Sequence, residues 1–174
     1  KFMAYYKDGT MIDIFIPSYH RAKNLKTVRY FVGIGWDPKK IHVFIDSEAD
    51  DILEYHDEAE RVKFHLHVFD MQEARDKYDY VHRPSTSRRS AGQSRNMFYD
   101  KAKELGISFY MVQDDDTSNY EIKRFGRYQR KALYSEIYNT FEAIKIFMKK
   151  RRIGLFGISQ TGDFIGGENK KLLR

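Results

Sequence analysis

A chain of 174 residues, 41% hydrophobic and 16% aromatic, is long enough for one folded domain with a real core, which excludes global disorder. It contains no cysteine, so disulfides, thiolate catalysis and zinc-thiolate sites are excluded and a reducing compartment fits. The formal charge of +6 favours anionic partners, either nucleotide phosphates or nucleic acid.

No apolar stretch reaches 18 residues, and Lys1 to Thr10 lacks the apolar core of a signal peptide, so a soluble, cytoplasmic protein without a membrane-spanning segment is expected. The chain begins at Lys1 without an initiator Met and ends at Leu172-Leu-Arg174 without an obvious stop signal, as a fragment or a processed chain would. Met11-Ile-Asp-Ile-Phe-Ile16, rich in β-branched residues and stopped by Pro17, predicts a buried strand. Leu25, Val28 and Val32 predict the helix that follows, closed by Gly33 and Gly35. Ile41 to Ile45 predicts a second strand ending at Asp46-Ser47, with Ser47 as cap of a helix through Ile52, Leu53 and Tyr55. Phe64-His-Leu-His-Val68 alternates, which predicts a third strand with His65 and His67 on a wetter face. From Asp70 to Gly92 the pattern breaks down into loop composition, and long loops in compact domains are often functional.

Periodicity returns with Ser94 as cap and Met97, Phe98, Ala102 and Leu105 on a helix closed by Gly106. The next strand, Ile107 to Val112, runs directly into Gln113-Asp114-Asp115-Asp116-Thr117. Adjacent carboxylates repel and are costly to cluster unless a cation or hydrogen-bond donors neutralise them. Hard oxygen ligands suit Mg²⁺ or Mn²⁺, ions that usually also hold substrate phosphates. In strand alternation Asp114 and Asp116 share one side and Asp115 points away, so a D-x-D pair would share one ion; the alternative is a solvated acidic turn. Asn119 to Arg130 is polar and basic, and Leu133, Ile137, Phe141, Ile144 and Met148 form the apolar stripe of a long helix. Ile153 to Ile158 predicts one more strand, and Gly162, Gly166 and Gly167 a loosened end.

Strands alternating with helices predict an α/β fold, a mainly parallel sheet flanked by helices on both faces. Ligands in such sheets bind at the carboxyl ends of the strands, which brings Pro17-Ser18-Tyr19, Asp46-Ser47 and Asp114 to Asp116 towards one cleft.

These segments resemble the nucleotide-sugar glycosyltransferases of GT-A fold (Rossmann-like), particularly the family-2-like branch and its phage and TET-associated type acting on DNA bases. Ile14-Phe-Ile-Pro-Ser-Tyr-His-Arg21 followed by Asn24-Leu25 is similar to that branch's "IPTYNR" and "NL". Ser94-Arg95-Asn96, Ala102, Gly106 and Asp114-Asp-Asp116 are similar to its "ARN…A…G…DDD" stretch. The resemblance spans roughly residues 11 to 118 as a nucleotide-binding half, leaving 119 to 174 as an acceptor-side half of one catalytic domain, C-terminally incomplete if the chain is a fragment.

The resemblance implies that Asp116 ligates Mn²⁺ or Mg²⁺, that Asp114 contacts the ribose or the metal through water, and that Asp115 belongs to the same donor site. It implies Pro17, Ser18 and Tyr19 along the base and ribose, Asp46 against uracil N3, and Arg21 and Arg95 as forked donors to phosphate, although Arg95 would equally pair with a nearby carboxylate. His20 departs from the usual Asn, and Asp46-Ser-Glu-Ala-Asp50 departs from "DDGS", so the base is open between UDP-sugars, which are favoured, and others. The general base of an inverting transferase normally lies downstream, where Asp163 and Glu168 stand; Asp163 is the candidate, a turn aspartate the alternative.

Arg83, Arg88 and Arg89, with Lys123, Arg124, Arg127, Arg130 and Lys131, interleave with Tyr120, Phe125 and Tyr128, a mixture that can track a nucleic-acid backbone and stack on bases. The acceptor would then be hydroxymethylated DNA; an anionic glycan suits the same charges, and a solvated basic face needs no function. A nucleotidyltransferase would use the same cleft, but usually carries a glycine-rich loop that Pro-Ser-Tyr-His-Arg lacks. A non-catalytic nucleic-acid-binding module fits the pI near 9.3 and leaves the aspartate triplet unexplained.

Overall fold

Two apolar runs without alternation become the centre of a sheet, where both faces are covered. In the computed structural model, which describes residues 11–77, 91–124 and 127–158, β1 (Asp13–Pro17) and β2 (Ile41–Asp46) are buried along their whole length. β3 (His65–Phe69) and β4 (Tyr110–Val112) flank them in the order β3-β2-β1-β4, and every pairing is parallel. The helices α1 (Lys26–Gly33), α2 (Ile52–Val62), α3 (Met71–Lys77) and α4 (Ala91–Glu104) supply the crossovers and flank the sheet. The α/β, Rossmann-like class read from the sequence is the observed one.

The register Phe15 opposite His42 and Pro17 opposite Phe44 puts these side chains on one face. There Phe15, Phe44 and Phe69 pack with Met71 and Ala74 of α3 and Phe98 and Ala102 of α4. Ile14, Ile16, Ile41, Val43 and Ile45 alternate to the other face and are fully buried, as are Phe31 of α1 and Tyr55 of α2. The chain runs outward through β1, β2 and β3, then returns to place β4 on the far side of β1. The order therefore reverses between β1 and β4, and the crevice beyond their carboxyl ends is the switch point at which such sheets bind ligands.

The chain divides into two compact units, one within Gly9–Asn119, which holds this sheet, and one that includes Tyr120–Arg174. In the second unit, β5 (Glu121–Arg124) and β6 (Arg127–Lys131) pair antiparallel with a register irregularity between Ile122 and Lys123. α5 (Tyr134–Arg151) follows; Leu133 N donates to Glu136 Oε2 at its start, and the Phe141 ring meets Tyr120 edge-on at 5.8 Å.

Several local expectations are corrected. Ser47 is not the cap of α2, which begins at Ile52 with Asp51 at the cap position, because a turn intervenes after β2. Ser94 lies inside α4, which begins at Ala91. The supposed loop from Asp70 contains α3, in which the buried residues among those described, Met71 and Ala74, are too few to show as a periodic stripe; residues 78–90 lie outside the described part. Within the polar and basic segment from Asn119, where the sequence predicts no element, β5 and β6 pair antiparallel. Ile153 to Ile158 forms no strand, and Leu155 is 87% exposed, since among the described residues no neighbouring strand pairs with it. His67 is half-buried instead of solvent-facing, because its Nε2 lies 2.9 Å from His42 Nδ1 and its ring packs on Phe44.

Candidate active site

The acidic triplet does not continue β4. Gln113 N donates to Phe15 O at 3.0 Å, extending the β1–β4 pairing by one residue, and the chain then turns at Asp115-Asp116. The start of α1 holds the turn by its backbone. Thr27 N donates to Asp115 O at 3.2 Å; the buried Thr27 hydroxyl donates to Asp114 O and accepts from Thr117 N at 2.9 Å.

The three carboxylates have different surroundings. Asp115 is turned inward, with a side chain 12% exposed, while those of Asp114 and Asp116 are 45% and 56% exposed. Asp115 Oδ2 accepts from Ser18 Oγ at 2.8 Å, and its Oδ1 from Arg21 Nη1 at 3.0 Å. Burial lifts the Asp115 carboxyl above its ordinary range, and the two flanking aspartates add to this; the Ser18 hydrogen bond and the Arg21 charge oppose it. Arg21 Nη1 also lies 3.4 Å from Asp116 Oδ2, and Arg95 Nη2 lies 2.5 Å from Asp114 Oδ1. The outer two side chains are thus the exposed ones and the middle residue anchors.

The loop after β1 is the other wall. Pro17 ends β1 and is buried, Ser18 N donates to Phe44 O at 3.0 Å, and the Tyr19 ring, 38% exposed, packs on His20 at 3.8 Å. Tyr55 OH of α2 lies 2.7 Å from Ser18 Oγ and accepts from Arg21 N at 3.0 Å, while Asp51 Oδ2 accepts from Ala22 N at 3.2 Å. Asp46 is 3% exposed, and its Oδ1 accepts from Glu48 N at 3.1 Å. The structure thus brings Ser18, Arg21, Arg95 and the triplet into one bonded neighbourhood. Asp163 and Glu168, together with Arg83, Arg88 and Arg89, lie outside the described residues.

A family model described as TET-Associated Glycosyltransferase matches residues 12–172. The chain belongs to that family. No curated protein and no solved structure matches it.

Membership of the TET-associated glycosyltransferase family points to glycosyl transfer, and one departure of this sequence from the resembled pattern has a structural reason. His20 has φ 52°, in the left-handed region, where Asn is also among the more tolerated residues. Histidine, like the asparagine of the "IPTYNR" pattern, is a residue type that tolerates this backbone conformation. His20 Nδ1 and Nε2 also lie 3.6 and 3.8 Å from Asp51 and Asp50. Sequence reasoning missed Thr27 and Tyr55. A threonine at the start of a helix and a tyrosine on an apolar face carry no signal of their own, since their partners lie 90 and 37 residues away.

Among the described residues no group of three His, Asp or Glu side chains forms a metal cage. Two solvent-facing carboxylates beside a neutralised third still fit an ion that keeps most of its coordination for phosphate and water, the usual condition of Mg²⁺. Among the described residues no helix is long and apolar enough to cross a membrane.

Proposed function

We propose that this protein is a metal-dependent hexosyltransferase that moves a sugar from a nucleoside diphosphate sugar, a UDP-sugar by preference, to a hydroxyl acceptor. The observation that carries the reading is the junction of Ser18 and Arg21 with Asp115 at the switch point between β1 and β4. It sets two exposed carboxylates beside a loop that can receive a base and ribose.

In this reading Asp114 and Asp116 hold Mn²⁺ or Mg²⁺, which when bound supplies Lewis-acid stabilisation of the departing diphosphate. Pro17 and Tyr19 line the nucleoside, and Asp46 contributes to base selection at the end of β2. Arg21 and Arg95, paired with the carboxylates, present their remaining guanidinium donors to phosphate. Asp115 keeps Arg21 and the β1 loop in place. Asp163 is the candidate for the base that takes the acceptor proton.

For the acceptor we favour a hydroxymethylated DNA base over an anionic glycan. The TET-associated description of the matched family supports it, and the net charge of +6 with Lys123, Arg124, Arg127, Arg130 and Lys131 on β5 and β6 suits either anionic acceptor.

Calorimetric titration of UDP, GDP and UDP-glucose, with and without Mn²⁺, tests the donor side. Metal-dependent binding of one diphosphate, lost in Asp116→Ala, is expected; salt-sensitive DNA binding with no diphosphate binding under any metal condition would turn the reading to a nucleic-acid-binding module. Incubation with UDP-glucose and either hydroxymethylated DNA or a glycan then identifies the acceptor by mass gain.

A further inference from the structure

The hydroxyl chain under the acidic turn has a direction. An ionised carboxylate only accepts, so the Ser18 hydroxyl, 2.8 Å from Asp115 Oδ2, donates its single proton there. Ser18 Oγ can then only accept from Tyr55, 2.7 Å away, and Tyr55 OH in turn accepts the N–H of Arg21 at 3.0 Å. The order is Arg21 N–H to Tyr55 O–H to Ser18 O–H to the Asp115 carboxylate. Each donor in such a chain polarises the next, and this one sits in poor solvent contact: Tyr55 is fully buried and Ser18 is 8% exposed.

The chain returns to where it started, because Arg21 also reaches Asp115 through Nη1 at 3.0 Å. It therefore closes a ring between the loop after β1, the face of α2 and the turn after β4, segments separated by as many as 97 residues. Asp114 and Asp116 are the immediate neighbours of the carboxylate on which the ring ends.

We infer that Tyr55 is a positioning residue of the diphosphate site. Its hydroxyl, acting through Ser18 and Asp115, sets the height of the acidic turn against the β1 loop and so the spacing at which Asp114 and Asp116 meet a metal diphosphate. The inference rests on the donor-site reading proposed above. A buried tyrosine kept only for packing would be replaceable by phenylalanine without effect on binding. One that sets the turn through its oxygen would not.

The test is Mn²⁺-dependent binding of UDP and GDP by calorimetry, at a temperature where all variants are folded, for the wild type, Tyr55→Phe, Ser18→Ala, the double variant and Ser18→Thr. Removal of one hydroxyl from a coupled chain is expected to weaken binding about fivefold, the size of one net hydrogen bond. The double variant is expected to be no weaker than the weaker single one, because either break opens the same ring. Ser18→Thr, which keeps the hydroxyl and matches the threonine of the "IPTYNR" pattern, is expected to recover the affinity that Ser18→Ala loses. Wild-type affinity in Tyr55→Phe, or losses that multiply in the double variant, would overturn the positioning role while leaving the donor site standing. Failure of the wild type to bind either diphosphate would reject the donor-site reading itself, and the positioning role with it.

Discussion

Thr27 Oγ1 lies 2.9 Å from Thr117 N and also donates to the carbonyl of Asp114, so one buried hydroxyl spans the acidic turn from both sides. Thr27→Val preserves shape and removes both bonds. Leaving a part-buried amide and carbonyl without this partner is expected to lower unfolding stability by about 2 kcal/mol, read by urea denaturation. A loss no larger than that of an exposed surface substitution would show that water takes over both groups.

The left-handed backbone at His20 yields a second prediction. His20→Gly removes the steric conflict at φ 52° but adds chain entropy in the unfolded state, so a change within about 0.5 kcal/mol is expected. His20→Val places a β-branched side chain there and is expected to cost about 2 kcal/mol. Equal denaturation midpoints for the two variants would mean that the loop adopts another backbone conformation in solution.

The third concerns acid. Burial, with His42, Lys101 and His65 adding and Glu104 opposing, lowers the His67 imidazole from 6.5 to about 4. His42, which faces it at 2.9 Å, is itself held by Asp13 at 3.1 Å, and Lys40 lies 3.3 Å from the same carboxylate. Because the folded state binds the proton less tightly than the unfolded chain, the unfolded chain is protonated first as pH falls. The contribution of His67 is therefore fully present above about 6.5 and is lost as the pH falls towards about 4. A half-buried ring is expected to show about 2 kcal/mol of this. Denaturation at pH 7 and pH 5 should show a smaller difference for His67→Gln than for the wild type, and an identical difference would refute the assignment.

In the second unit, the side chains of Glu142 and Lys145 form an ion pair of 2.8 Å at 2% and 8% exposure, and among the described residues nothing hydrogen-bonds Glu142 Oε2. Lys145→Met strands a buried carboxylate and is expected to cost about 3 kcal/mol, whereas Glu142→Leu combined with Lys145→Met should recover most of that loss. Thermal unfolding of the three proteins decides it; a double variant as unstable as the single one would show that Lys145 acts through its other contacts.

Much of the fold was legible in short segments. Ile14-Phe-Ile and Ile41 to Ile45 are continuous apolar runs, and such runs are buried on both faces wherever a parallel sheet forms. The alternation of strands and helices implied that sheet, and the carboxyl-end rule placed Ser18 and the aspartates on one side of it before any contact was known. Ile153 to Ile158 shows the limit: it has strand composition, but a strand exists only when another backbone accepts its hydrogen bonds, and none does so among the described residues.

The sequence by itself determined the α/β class, the identity of β1, β2 and α5, and the candidacy of Asp114 to Asp116, because each depends on residue type and spacing within a few turns of chain. Only the tertiary structure decided that Asp115 faces inward while Asp114 and Asp116 face solvent. It also decided that Thr27 bonds the acidic turn, that Tyr55 bonds the loop after β1, and that His67 is shielded. Those outcomes depend on which donor stands opposite which acceptor after segments up to 97 residues apart have met, and no local pattern carries the direction of a hydrogen bond.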